Sequence, residues 1–102
     1  MTKIIVQKFG GTSVGSVERI DAVADIIADA SKTAKIVVVV SAMAGETNKL
    51  VNLAKNFSEN PDKREFDALV STGETVSSAL LSLALHSKAV SYTHLRAHET
   101  TD

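Results

Sequence analysis

Six consecutive residues, Lys8-Phe9-Gly10-Gly11-Thr12-Ser13, combine a cation, two glycines and two hydroxyls. Glycine lets a ligand reach the backbone because no Cβ stands in the way. Backbone N–H groups and a following helix N-terminus attract negative charge. A lysine ammonium suits a phosphate. This is the chemistry of a cradle for the terminal phosphates of a nucleotide. The spacing is not Gly-x-x-x-x-Gly-Lys-Ser/Thr, where lysine follows the glycines, nor Gly-x-Gly-x-x-Gly, since the glycines fall at 10, 11 and 15. A tight turn without a ligand has the same composition.

Two further clusters carry polar groups. Ser41-Ala-Met-Ala-Gly45-Glu46-Thr47-Asn48 is a second loop of small residues; its plain reading is a helix-capping loop with Thr47 or Asn48 as N-cap. Glu74 lies among Ser71, Thr72, Gly73 and Thr75, where a solvated surface position is the ordinary alternative. His94 and His98 are spaced to share a helical face, but the stretch is not His-Glu-x-x-His and offers no third ligand, so no metal site is assigned.

The elements that must position these groups follow from periodicity. Residues 3–9 read as a β-branched strand. Val17, Ile20, Val23, Ala24, Ile27 and Ala30 recur at helical steps, with Ser16 as N-cap. The unbroken apolar run 36–40 reads as a strand covered on both faces, as in a parallel sheet. Strand, helix and strand in this order form a βαβ unit. The first turn and the loop after residue 40 then fall at the same carboxyl edge of the sheet, where ligands of open α/β sheets bind. Leu50, Leu53, Ala54 and Phe57 trace a short helix, and Pro61 ends it. Phe66, Leu69, Val70, Val76, Leu80 and Leu83 trace another. Gly73 either breaks that helix or marks a close approach of its backbone to another element.

The chain has 102 residues, 44% hydrophobic, with a net charge of −1 and no cysteine. That is one small domain with an ordered core. The charge gives no electrostatic footprint for nucleic acid, and four aromatic residues give little stacking surface. The absence of cysteine excludes disulfides and thiolate metal sites. No signal segment is visible, and no pure apolar run approaches membrane-spanning length. The expectation is a cytoplasmic protein with no membrane or nucleic-acid partner.

Three stretches carry a resemblance. The segment 8–13 with 16–20, the segment 38–48 and Arg64-Glu-Phe-Asp-Ala-Leu-Val-Ser-Thr-Gly-Glu74 are similar, in order and spacing, to the N-terminal part of bacterial aspartate kinases of the amino acid kinase family, over about residues 3–88. The resemblance implies an α/β protein: a partial, truncated amino acid kinase fold, with a parallel βαβ sheet core and flanking helices. It implies ATP-dependent phosphorylation of the L-aspartate side-chain carboxylate to 4-phospho-L-aspartate, the entry step to lysine, threonine and methionine. Carried over by position, Lys8, Phe9, Gly10, Gly11 and Ser13 bind the ATP phosphates, with Lys8 also catalytic. Ser41, Thr47 and Glu74 bind aspartate, with Glu74 reading its ammonium group. ATP with Mg²⁺ and a homo-oligomeric full-length parent are likewise implied. A glutamate- or carbamate-kinase-like sibling, or a non-catalytic anion-binding module, are the alternatives.

The family's chain is much longer. Residues 1–88 are therefore expected to be the first part of its catalytic domain. Residues 89–102 are expected to be a strand remnant followed by a foreign tail, since 91–100 resemble translated adapter sequence. The 102-residue chain alone is expected to be inactive, because the adenine and ribose pocket is missing.

Overall fold

A computed structural model describes residues 3–88 and 90. The tail with His94 and His98, and all but residue 90 of the proposed strand remnant, lie outside the described residues. The order of elements is β1 (Ile4–Phe9), α1 (Val17–Ala30), β2 (Lys35–Val40), α2 (Glu46–Ala54) and α3 (Lys63–Ser87). Among the described residues the sheet has two strands, β1 and β2, paired in parallel from Ile4 opposite Lys35 to Phe9 opposite Val40. The βαβ unit expected from periodicity is present.

Each helix starts where local chemistry allows it. Ser16 is extended, and its hydroxyl accepts from the Arg19 N–H at 3.2 Å, capping α1. Asp62 does the same for α3, accepting from the Glu65 N–H at 3.1 Å. α2 differs from expectation: its N-cap is Gly45 in the left-handed region at φ 86°, with no side-chain cap. Thr47 and Asn48 are not caps but residues of the first helical turn. Glycine takes that backbone conformation without a Cβ penalty, so α2 begins two residues earlier than a Thr47 cap would allow.

The core lies on one side of the sheet. Ile20, Val23, Ala24 and Ile27 of α1 join Val14, Leu81 and Leu85, with Phe9, Val38, Val40, Met43, Leu80 and Ala84 packed against them. Val17, expected on the buried face of α1, is exposed because it sits in the first turn at the edge of that contact. The opposite face of the sheet is bare among the described residues. Ile4, Val6, Val37 and Val39 are each 46–66% exposed. The expectation that β2 is covered on both faces is corrected: its pleat alternates exposed and half-buried residues.

α3 runs through Gly73 without a break. Its buried stripe is Gly73, Ser77, Leu81 and Leu85, with Ser82 beside it; of the expected face, Phe66, Leu69, Val70 and Leu80 are half-buried, whereas Val76 and Leu83 point outward. Spacing by four turns the small residues inward, and the buried Ser77 hydroxyl donates to the Gly73 carbonyl at 3.3 Å. α3 is also long and apolar enough to cross a membrane by length and composition. Here it packs lengthwise against α1 and α2. Phe57, expected on the α2 face, lies beyond the helix and is exposed.

Candidate functional site

The turn after β1 is built by its own backbone. The Ser13 N–H donates to the Gly10 carbonyl at 3.1 Å, closing a tight turn over Gly11 and Thr12. Gly10 lies open: a Cβ built there meets nothing within 4 Å. An anion can therefore approach its backbone. Phe9 faces the core and anchors the strand end, while Lys8, one residue earlier, takes the opposite side of the pleat and is exposed.

The second loop is bolted to this turn. The Ser41 N–H donates to the Phe9 carbonyl at 3.1 Å, extending the β ladder by one bond. The Ala44 N–H donates to the Gly11 carbonyl, also at 3.1 Å. A Cβ on Gly11 would lie 3.0 Å from the Ala42 carbonyl oxygen and 3.3 Å from the Ala44 nitrogen. Only glycine allows the two loops to meet this closely without displacement. The two small-residue loops thus share one rim at the carboxyl edge of the parallel sheet. Pleat alternation sets Lys8, Val39 and Ser41 on the sheet face away from the helices.

The third stretch reaches the same place through α3. A Cβ built on Gly73 would sit 2.9 Å from the Ala42 Cβ, 3.5 Å from Leu50 Cδ1 and 3.9 Å from the Glu46 Cβ. Gly73 is therefore the close approach allowed for in the sequence, and Ala42 is what it approaches. Glu74 follows immediately on the continuous helix, not at a helix junction. It is exposed, as are Lys8 and Thr47, whereas Ser13 and Ser41 are half-buried. Among the described residues no ion pair or side-chain hydrogen bond ties Lys8, Thr47 or Glu74 to another side chain.

Ala42 and Gly45 were not legible as site-building residues. Ala42 carries no chemistry of its own, and only its burial against Gly73 reveals it. The signal that could have found the contact is the pairing of a loop alanine with a glycine inside a helical pattern. A second feature unmarked in the sequence is an ion triad. The Lys88 ammonium lies 2.9 Å from an Asp25 oxygen and 3.0 Å from an Asp21 oxygen, joining the end of α3 to α1. Hydrogen bonds that the Lys88 ammonium donates to Asp25 and, next in weight, to Asp21 raise the Lys88 pKa above its ordinary value of 10.5.

Comparison with known proteins gives a consistent picture. The model of the amino acid kinase family matches residues 3–102. An aspartokinase of Geobacillus stearothermophilus is 58% identical over 97% of this chain and 25% of its own length. An aspartokinase of Helicobacter pylori strain J99 is 58% identical over 80% of this chain and 20% of its own. Aspartokinase 2 of Bacillus subtilis is 54% identical, again over 97% and 25%. A crystal structure of aspartate kinase from Synechocystis superposes with a TM-score of 0.81 at 59% identity, over 83% of this chain and 15% of that one. The chain spans about a quarter of the length of the curated relatives it matches.

Proposed function

The chain belongs to the amino acid kinase family, and from that premise we propose that it is the N-terminal, phosphate- and acceptor-binding part of a bacterial aspartate kinase. The complete protein transfers the γ-phosphoryl group of ATP to the side-chain carboxylate of L-aspartate, giving 4-phospho-L-aspartate, the first step towards lysine, threonine and methionine. The observation that supports this best is the rim itself. A glycine turn beside a lysine and a loop of small and hydroxyl residues are hydrogen-bonded to each other at the carboxyl edge of a parallel sheet.

Phosphoryl transfer to a carboxylate needs positioning and charge neutralisation, and no covalent nucleophile. The open backbone at Gly10 and the turn through Gly11 and Ser13 hold the terminal phosphates. Lys8 offsets negative charge on the phosphoryl group as it moves between two anionic oxygens. Ser41 and Thr47 orient the acceptor, and Glu74 pairs with its ammonium group, which separates amino acids from simple carboxylic acids. Mg²⁺ accompanies ATP and spreads charge on the phosphates. The complete protein is cytoplasmic and homo-oligomeric, with no nucleic-acid or membrane partner.

A chimera tests this. The matching segment of the Geobacillus stearothermophilus aspartokinase is replaced by residues 1–88 of this chain, and the chimera is offered aspartate, glutamate and carbamate with ATP. Trapping with hydroxylamine should give the hydroxamate of aspartate far in excess of the others. Preference for glutamate or carbamate would assign the chain to a sibling kinase, and no turnover with any acceptor would leave an anion-binding module.

A further inference from the structure

Three rigid links run in series across the rim. The phosphate turn is tied to the second loop by the Ala44 N–H to Gly11 carbonyl bond, at 3.1 Å. Ala42 of that loop, 7% exposed, is the surface on which α3 rests at Gly73. Glu74 is the next residue of α3. With α3 packed on α1 and α2, its tightest approach to the rim is the contact of Gly73 with Ala42, and the separation between the phosphate turn and Glu74 depends on that contact.

We propose that Gly73 is a positioning residue that fixes the length of amino acid the site accepts, by seating α3 against Ala42. This rests on the reading of Glu74 as the ammonium partner and goes beyond it in naming what sets the acceptor's length. A side chain at 73 would place its Cβ 2.9 Å from the Ala42 Cβ, whereas carbon atoms settle at about 3.5–4.0 Å. Neither methyl can rotate away, so α3 must move outward by roughly 1 Å, the order of misplacement that costs about a hundredfold in rate. An outward shift lengthens the span between the phosphate turn and Glu74. The longer site loses grip on aspartate and rejects glutamate, one methylene longer, less well.

The experiment uses the chimera described above with Gly73→Ala, alone and combined with Ala42→Gly, which removes the opposing methyl. For Gly73→Ala, kcat/KM for aspartate should fall about thirty- to a hundredfold through KM for aspartate. The preference for aspartate over glutamate should fall about tenfold, with KM for ATP within twofold. The double variant should recover most of both losses. Unchanged discrimination in Gly73→Ala would overturn the proposal. So would equal loss of affinity for ATP and aspartate that Ala42→Gly does not repair, since that is the mark of general unfolding. If the unsubstituted chimera ignores aspartate, the kinase reading falls by itself. The contact is then judged by thermal melts of the chimera, where a higher Tm for Gly73→Ala overturns it and a lower Tm recovered in the double variant supports it.

Discussion

At the scale of single residues, the chemistry rests on a few exposed charges held at the end of a rigid sheet. Lys8 is exposed at the last turn of the β1 pleat, next to a backbone that stands open at Gly10. In the chimera, Lys8→Ala should cost about 3 kcal/mol of transition-state stabilisation, roughly a hundredfold in kcat. A turnover number unchanged from the unsubstituted chimera would remove Lys8 from the reaction. Glu74→Gln should raise KM for aspartate at least tenfold and leave KM for ATP nearly unchanged, because a neutral amide cannot balance an ammonium group. Parallel loss for both substrates would make Glu74 a structural residue. Lys88 gives a prediction about pH. Its raised pKa means that the folded state binds this proton more tightly than the unfolded chain. The stabilisation is therefore complete below the ordinary lysine value of 10.5 and fades as pH rises through the higher folded value. Melting curves of Lys88→Met should lie below the parent near neutrality and converge with it at strongly alkaline pH. A constant offset across that range would show that the ion triad with Asp21 and Asp25 is not what Lys88 contributes.

At the scale of elements, much of the fold was legible and the reasons are specific. β1, α1 and β2 follow from β-branched runs, a 3.6-residue period and a Ser16 cap. Replacing that cap by Ala should cost about 1 kcal/mol of stability, read from denaturant midpoints; a change under a few tenths would mean that the cap hydrogen bond is idle. The meeting of the two loops was legible too, because parallel strands put their carboxyl ends at the same edge. What eluded the sequence is the centre of the buried face of α3, since Phe66, Leu69, Val70 and Leu80 only flank it. Counting large apolar residues selects Val76 and Leu83, but the helix buries Gly73 and Ser77, small residues that let it approach its neighbours. Likewise Gly45, not Thr47, starts α2, because glycine takes the left-handed backbone at the helix start without a Cβ penalty. Helix propensity alone would make Gly73→Ala stabilising by about 1 kcal/mol. The contact with Ala42 argues for the opposite sign, and the sign of the change in Tm decides between them.

At the scale of the whole molecule, one side of the sheet carries the core and the other presents Ile4, Val6, Val37 and Val39 to solvent. Among the described residues, the outer edges of β1 and β2 also carry backbone groups with no ladder partner. A chain that spans a quarter of its relatives' length and shows such a face is expected to self-associate when isolated. Sedimentation of the isolated chain should show concentration-dependent assembly, weakened by a Val6→Lys, Val37→Lys double substitution. A monomer at all concentrations would contradict this. The expectation that residues 89–102 are a strand remnant followed by a foreign tail stands beside a family match that extends to residue 102.

The most direct measurement is a crystal structure of the chimera with a non-hydrolysable ATP analogue and aspartate. The kinase reading expects the Lys8 ammonium about 2.7–2.9 Å from an oxygen of the terminal phosphate, and a Glu74 carboxylate oxygen at a similar distance from the aspartate ammonium. Phosphates bound away from the Gly10–Ser13 turn, or aspartate bound out of reach of Glu74, would contradict it.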